Sequence, residues 1–116
     1  SKCPLNVALE ILGDRWTLLV LRDAILFGKG LFQEFQASPE GISSNTLADR
    51  LKRLEEHGIL ERAVYQERPV RHRYLVTPKG RDLLPLLREA TLWGARHVPG
   101  TYTPSDEELR GLGERA

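Results

Sequence analysis

Apolar residues recur three and four positions apart along the first third of the chain, a spacing that predicts amphipathic helices. One helix follows Pro4, whose missing N–H costs nothing in a first helical turn, and it ends at Gly13. A second begins after Asp14, a good N-cap, and has almost no polar face through residue 27. We therefore expect the second helix to lie at the centre of the core. A third, short helix near Phe32 is expected before a turn at residues 38–41.

The next predicted helix has one apolar and one polar face. Ser43 or Ser44 can cap its start, and His57-Gly58 ends it. Its apolar face consists of Leu47, Ala48, Leu51 and Leu54. The opposite face carries hydrogen-bonding and charged side chains, namely Asn45, Thr46, Asp49, Arg50 and Arg53. Such a face predicts contact with a polar partner.

Two short strands are predicted after this helix, at residues 59–65 and 74–76, because Ile, Val and Tyr are frequent there. Residues 66–73 between them are predicted to form a hairpin loop. Four side chains make this loop basic: Arg68, Arg71, His72 and Arg73. The hairpin therefore predicts a second surface for a polyanion.

The last long helix is predicted to start with Thr77 as its cap and Pro78 at its first position, and to end before Pro99. Pro85 lies inside this segment, so either the helix kinks there or it effectively begins nearby. The chain is polar from residue 101 onwards, and residues 105–108 resemble a capping box for a short terminal helix.

This order of elements is the plan of a winged helix-turn-helix, a mainly α fold with a small β-hairpin wing. We expect residues 1–100 to form that domain, with additional N- and C-terminal helices for dimerisation, and residues 101–116 to form a polar C-terminal tail. At 116 residues and 41% hydrophobic, the chain is large enough to bury one core.

Charge is unevenly distributed along the chain. The net charge is only +1, but residues 42–81 carry +4 and the remainder −3. A basic central segment gives modest support for nucleic-acid binding. The alternative is a random clustering of charged residues on a solvated surface. In the major groove of duplex DNA, Asn45 could read adenine and Arg50 guanine. The predicted DNA-contacting set is Ser43, Ser44, Asn45, Thr46, Arg50, Arg53, Arg68, Arg71, His72 and Arg73.

Several function classes are not supported by the sequence. The single cysteine, Cys3, cannot form an intramolecular disulfide, and no secretory signal opens the chain, so a cytoplasmic location is expected. The longest apolar segment is too short for a membrane span, which needs about 20 residues. The three histidines have no metal-ligand spacing, and no catalytic motif occurs. We therefore expect no enzyme, no cofactor, no metal and no membrane partner.

Several separated motifs resemble, in order and spacing, those of the HxlR-type regulators, which are relatives of the MarR group. They are Cys3-Pro4, LGDRWTLLVLRD at 12–23, Phe32-Gln33-Glu34-Phe35, Gly41-Ile42-Ser43, LADRLKRLE at 47–55, GILER at 58–62, Tyr74-Leu75 and Thr77-Pro78-Lys79-Gly80. The resemblance implies a homodimer in which the first and last long helices cross between subunits. It also implies that each polar-faced helix reads one half of a near-palindromic operator in double-stranded DNA.

The leucines and Trp93 of the last long helix exceed what one face of so small a domain needs, which also favours a dimer. The alternative is that they all pack within one chain.

Cys3 matches the amino-terminal cysteine through which some members of the family respond to oxidants or electrophiles, and the alternative is an unreactive thiol. A small-molecule effector, and repressor or activator action, stay open.

A winged-helix module that binds another protein and never DNA is the competing function. Acidic residues on the polar helix face would favour it, and only Asp49 lies there.

Overall fold

The computed structural model describes residues 1–111, and residues 112–116 of the predicted tail lie outside the described residues. The elements are α1 (Pro4–Leu12), α2 (Arg15–Ile25), α3 (Phe32–Gln36), α4 (Ser44–Glu56), β1 (Leu60–Glu67), β2 (Val70–Val76), α5 (Pro78–Arg81), α6 (Leu84–His97) and α7 (Asp106–Arg110). The mainly helical fold with a hairpin wing is confirmed. None of the described helices combines the length and apolarity needed to cross a membrane.

Helix α2 lies at the centre of the core, as its apolar sequence predicts. It packs against α4 and α6, and Leu21 from α2 and Leu47 and Leu51 from α4 are all fully buried. Burial of such a side chain contributes about 1.5–3 kcal/mol each. The core is completed by Phe35 of α3 and by Leu60 at the start of β1, so it fixes both α4 and the wing.

The predicted caps locate the helix starts. Asp14 caps α2 by accepting a hydrogen bond from the Thr17 backbone N–H at 3.1 Å. Of the two candidate serines, Ser43 is the cap of α4, since its hydroxyl accepts from the Thr46 N–H at 3.2 Å. Each cap satisfies a backbone donor that no helical carbonyl can reach.

The segment after the wing consists of two helices. Thr77 caps α5 by accepting from the Gly80 N–H at 3.1 Å. Gly80 lies so close to the residue before β1 that an added Cβ would stand 2.4 Å from the Ile59 carbonyl oxygen. The long helix α6 then begins at Leu84, with Pro85 in its first turn. Of the two alternatives for Pro85, a helix start is therefore correct and a kink is not.

The wing is longer than its sequence predicts. Residues 66–73 were expected to be a loop, but β1 and β2 extend through most of them, and only Arg68 and Pro69 lie between the strands. The antiparallel register runs from Leu60 opposite Val76 to Glu67 opposite Val70, with an irregularity between Val64 and Gln66. The outer hairpin is exposed on both faces, so it lacks the apolar alternation by which strands are recognised.

Helix α7 forms as the capping pattern predicts, with the Ser105 hydroxyl accepting from the Glu108 N–H at 3.1 Å. It packs against α6, where Arg88 Nε donates to the Leu109 carbonyl at 2.6 Å. Gly111 is buried with φ +72°, and an added Cβ would lie 2.9 Å from Leu84. The division of the chain at residue 100 stays a prediction.

Candidate nucleic-acid interface

The first turn of α4 presents a row of small polar side chains. Ser43, Ser44 and Asn45 are exposed, and Thr46 is half-buried. The Ser43 hydroxyl donates to Thr46 Oγ1 at 2.9 Å, and Gln36 of α3 donates from Nε2 to Ser44 Oγ. Three of these side chains are thereby oriented within the protein, while Asn45 projects from the same turn as an amide with both donor and acceptor capacity.

Arg50, in the middle of α4, is held by two carboxylates. Its Nε donates to Asp14 Oδ1 at 3.0 Å and its Nη1 to Asp49 Oδ2 at 2.6 Å. The hydrogen bond to Asp14 raises the pKa of Arg50 above its usual value. Arg53, one turn later, places Nη1 3.8 Å from Asp14 Oδ2. Both arginines on the polar face of α4 are therefore tied to the start of α2.

The wing carries exposed basic side chains. Arg68, Arg71 and His72 are exposed, and within residues 1–111 no carboxylate forms an ion pair with either arginine. The Gln66 side-chain amide donates to the carbonyls of Arg68 and Pro69, both at 3.3 Å, which braces the tip. Unpaired guanidinium groups on a braced hairpin are suited to phosphate contacts.

Arg73 is placed apart from the other wing cations. It is half-buried beside the segment that precedes α3, and an added Cβ on Gly30 would lie 2.9 Å from Arg73 Nη2. Tyr74 N–H donates to the Gly30 carbonyl at 2.8 Å, so this strand end packs on that segment. Arg73 Nε is buried without a hydrogen-bond partner in the described structure. Arg73 therefore lies at the base of the wing.

A buried ion cluster, which sequence reasoning missed, supports the turn before α4. Asp23 Oδ1 accepts from Arg22 Nε and Nη2 at 3.0 and 2.8 Å, and Ser38 donates to Asp23 Oδ2. Arg22 also makes a bidentate pair with Glu40 at 2.7 and 2.9 Å, which lowers the pKa of Glu40 to about 2. Lys29 Nζ completes the cluster, 3.0 Å from Ser38 Oγ and 3.5 Å from Asp23 Oδ2. The signal was present as Arg22 and Asp23, two adjacent charged residues in the most apolar part of α2.

Helices α1 and α6 expose large apolar side chains. Leu5 and Leu9 of α1 are 66% and 52% exposed, and Leu86 and Trp93 of α6 are 48% and 61% exposed. An apolar groove of about 260 Å³ runs between α2 and α6. It is lined by Leu18, Leu19, Arg22, Leu86, Leu87, Ala90 and Thr91. Patches of this kind on a small domain are typical of interfaces.

Cys3 is an exposed free cysteine immediately before α1. Its backbone N–H donates to Ser1 Oγ at 3.1 Å.

Among residues 1–111, no three His, Cys, Asp or Glu side chains are grouped so that they could hold a metal ion. The absence of a metal or cofactor stays a prediction.

Comparison with known proteins places these features in one family. The sequence model described as HxlR-like helix-turn-helix matches residues 11–102. The chain is 42% identical over 97 residues to an uncharacterized HTH-type transcriptional regulator of Mycobacterium tuberculosis, covering 84% of this chain but only 60% of that protein. It is 35% identical over 109 residues to the HTH-type transcriptional regulator YodB of Bacillus subtilis, covering 93% and 96% of the two chains.

Solved structures agree with these sequence matches. PA1607, described as a putative transcription factor, superposes with a TM-score of 0.78 at 38% identity, covering 90% of this chain and 72% of that one. The reduced form of YodB from B. subtilis gives a TM-score of 0.68 at 33% identity, covering 88% of this chain and all of that one. The redox regulator HypR in its oxidized form gives 0.71 at 32% identity, covering 81% and 96%.

Proposed function

Because the chain belongs to the HxlR-like helix-turn-helix family, we propose that it is a sequence-specific, double-stranded DNA-binding transcription regulator that acts as a homodimer in the cytoplasm, and not an enzyme. The observation that carries this proposal is the pairing of two surfaces. The first turn of α4 exposes hydrogen-bonding side chains, and the adjacent wing exposes Arg68 and Arg71 without carboxylate partners among the described residues. Base edges and phosphates are the two kinds of group that such surfaces bind.

The DNA-contacting set proposed here is the one expected from the sequence, with roles assigned by position. Asn45 contacts a base edge, and Ser43, Ser44 and Thr46 contact bases or phosphates near it. Arg50 and Arg53 contribute donors from the second and third turns of α4. Arg68, Arg71 and His72 lie along phosphates or an adjacent minor groove, and Arg73 acts from the base of the wing.

The homodimer rests on the exposed apolar side chains of α1 and α6. Burying about 25 cal/mol per Å² of such surface is the main favourable term in association. Leu86 and Trp93 lie seven positions apart, on one face of α6, and so form a stripe that a second copy can cover. Two copies related by a two-fold axis would present two α4 helices to the two halves of a near-palindromic operator.

The first experiment measures binding of the purified, reduced protein to the duplex upstream of its own gene, with random duplex as competitor, across a series of salt concentrations. Tight binding that resists the competitor and falls steeply with salt supports the proposal. A folded dimer that binds neither duplex overturns it. That outcome would favour the winged-helix module that docks another protein through α1 and α6.

Arg50→Ala is expected to weaken binding to a preferred duplex by about 1–3 kcal/mol and to relax base preference, because a guanidinium donor is lost at a base edge. Fluorescence anisotropy with the preferred duplex and with single-base variants of it measures both effects. Arg110→Ala, which removes an exposed cation from α7, is the matched control and should behave like the parent. Unchanged base preference in Arg50→Ala would contradict its assignment to base reading.

Arg71→Ala is expected to weaken binding to all duplexes alike and to reduce the slope of log K against log salt by about one unit, since one phosphate contact is lost. The measurement is a salt titration on preferred and scrambled duplexes. A change confined to the preferred duplex would mean that Arg71 contacts a base and not a phosphate.

We propose further that Cys3 makes the regulator responsive to oxidants. Two solved relatives are described by redox state, the reduced and diamide-treated forms of YodB and the oxidized form of HypR, and Cys3 here is exposed. With one cysteine per chain, the expected product joins two chains: two thiols lose their protons and two electrons to diamide and form one disulfide. Diamide should therefore produce a species of doubled mass on a non-reducing gel and alter DNA binding. Cys3→Ser should abolish both effects, and a response that persists in that variant excludes Cys3.

A further inference from the structure

We propose that Asp14 is a positioning residue that sets the DNA selectivity of this regulator by holding Arg50. This inference rests on the proposed DNA-binding function and assigns a role to a residue that lies outside α4. Asp14 belongs to the start of α2, and it reaches Arg50 across 36 positions of sequence. The contact is therefore a property of the fold and not of α4 alone.

The Asp14 carboxylate is shared between a helix cap and α4. Oδ1 accepts from the Thr17 N–H at 3.1 Å and from Arg50 Nε at 3.0 Å, while Oδ2 accepts from Thr17 Oγ1 at 2.5 Å and lies 3.8 Å from Arg53 Nη1. Burial by itself would raise the pKa of Asp14, but the hydrogen bonds from Thr17 and Arg50 outweigh it and lower that pKa. The carboxylate is therefore ionised wherever the protein meets DNA near neutral pH.

The guanidinium of Arg50 is held from two sides and is left with a defined donor. Nε is bound by Asp14 and Nη1 by Asp49, and within residues 1–111 no hydrogen bond is made by Nη2. The side chain is 21% exposed. A free arginine loses side-chain entropy when it is fixed, and a guanidinium already oriented in the protein loses less. Support of this kind is how outer residues sharpen the geometry of a binding group.

Release of Arg50 from Asp14 would lower selectivity and would also strengthen binding to DNA of any sequence. A mobile guanidinium can bond to several base edges or to a phosphate, so it discriminates less between sequences. Loss of the Asp14 charge also leaves Arg50 and Arg53 as less compensated cations beside a polyanion, which strengthens binding to any duplex. The first effect reduces the ratio of preferred to non-preferred affinity, and the second raises both affinities alike.

The test compares Asp14→Ser with the parent on two probes. One probe is a duplex that the parent selects from a randomised pool, and the other is a scrambled duplex of the same composition. Serine keeps a side-chain acceptor for the Thr17 N–H, so the cap of α2 is retained while the arginine contacts are lost. We expect the ratio of the two affinities to fall about tenfold, with the scrambled duplex bound as well as or better than by the parent. Asp14→Asn, also a good cap without charge, is the second variant and should show the same direction.

Two controls separate positioning from general stability. Thr17→Val removes a hydrogen bond to the same carboxylate without touching Arg50, so it should lower Tm and leave the affinity ratio unchanged. In an Arg50→Ala background, Asp14→Ser should change the ratio little further, because Asp14 acts through Arg50.

An Asp14→Ser protein that folds and keeps the parental ratio would overturn the inference alone. So would an equal loss of selectivity in Thr17→Val, since that would show a structural role. A parent that selects no duplex would overturn the proposed function and this inference with it.

Discussion

Trp93→Glu is expected to convert a dimer into a monomer and to lower affinity for the preferred duplex by about 100-fold or more, because two linked half-site contacts become one. Trp93 is 61% exposed on α6, on the same helix face as Leu86. A carboxylate placed there would be buried without a partner if a second copy covers this stripe, which costs several kcal/mol. Sedimentation across a range of protein concentrations and fluorescence anisotropy measure the two effects.

Thr103→Glu is the matched control for Trp93→Glu, since it adds the same charge at an exposed polar position outside the helices. It should leave both mass and DNA affinity unchanged. Leu9→Glu tests the other half of the proposed interface on α1 and should act in the same direction as Trp93→Glu. A parent that sediments as a monomer, or a monomeric Trp93→Glu that binds DNA like the parent, would contradict the dimer.

The helix starts could be predicted from the sequence because each depends on a few neighbouring residues. Asp14, Ser43 and Ser105 cap the helices expected of them, whereas Thr77 caps only the short helix α5 and not the long helix that was predicted to follow it. A capping side chain bonds to a backbone N–H only two or three positions ahead, so the local sequence contains all of the interaction. The periodic apolar residues of α2 and α4 were equally sufficient, since their spacing defines the buried face.

The length of the wing could not be predicted in the same way. Beyond Val64, the hairpin has neither face buried, so side-chain alternation carries no information about pairing there. Backbone hydrogen bonds between the strands and the Gln66 amide at the tip stabilise this part. The short helix α5 is also held by a contact between distant parts of the chain, since Gly80 packs against Ile59, and no local pattern announces such a contact.

The candidate site was also predictable only in part. The residue types on α4 and the wing could be chosen from the sequence, because polar and basic positions opposite an apolar face are visible there. Arg50 pairs with Asp14, and Arg73 lies against Gly30. Both contacts join elements that are far apart in sequence. No local pattern specifies such contacts, so the sequence predicted exposed donors where the structure has donors already engaged or half-buried.

Asp23 lies at the centre of the ion cluster that fixes the turn before α4. Its side chain is only 3% exposed, while those of its partners Arg22 and Lys29 are 20% and 25% exposed. The carboxylate separates two cations and also accepts from the buried Ser38 hydroxyl. Removing it would leave like charges close together and a buried hydroxyl without its acceptor, and both effects favour the unfolded chain.

Asp23→Ala is therefore expected to lower the free energy of unfolding by about 3 kcal/mol and Tm by about 10 °C. This loss is at the lower end of the range for a broken buried ion pair, because both cations keep some contact with water. Urea denaturation followed by circular dichroism measures the change. Glu55→Ala, which breaks the exposed pair with Arg62 at 3.1 Å, is the control and should cost less than about 1 kcal/mol. If the two variants lost the same stability, Asp23 would contribute no more than a surface charge does, and the turn before α4 would have to be held by apolar packing around Phe35 and Ile42 instead.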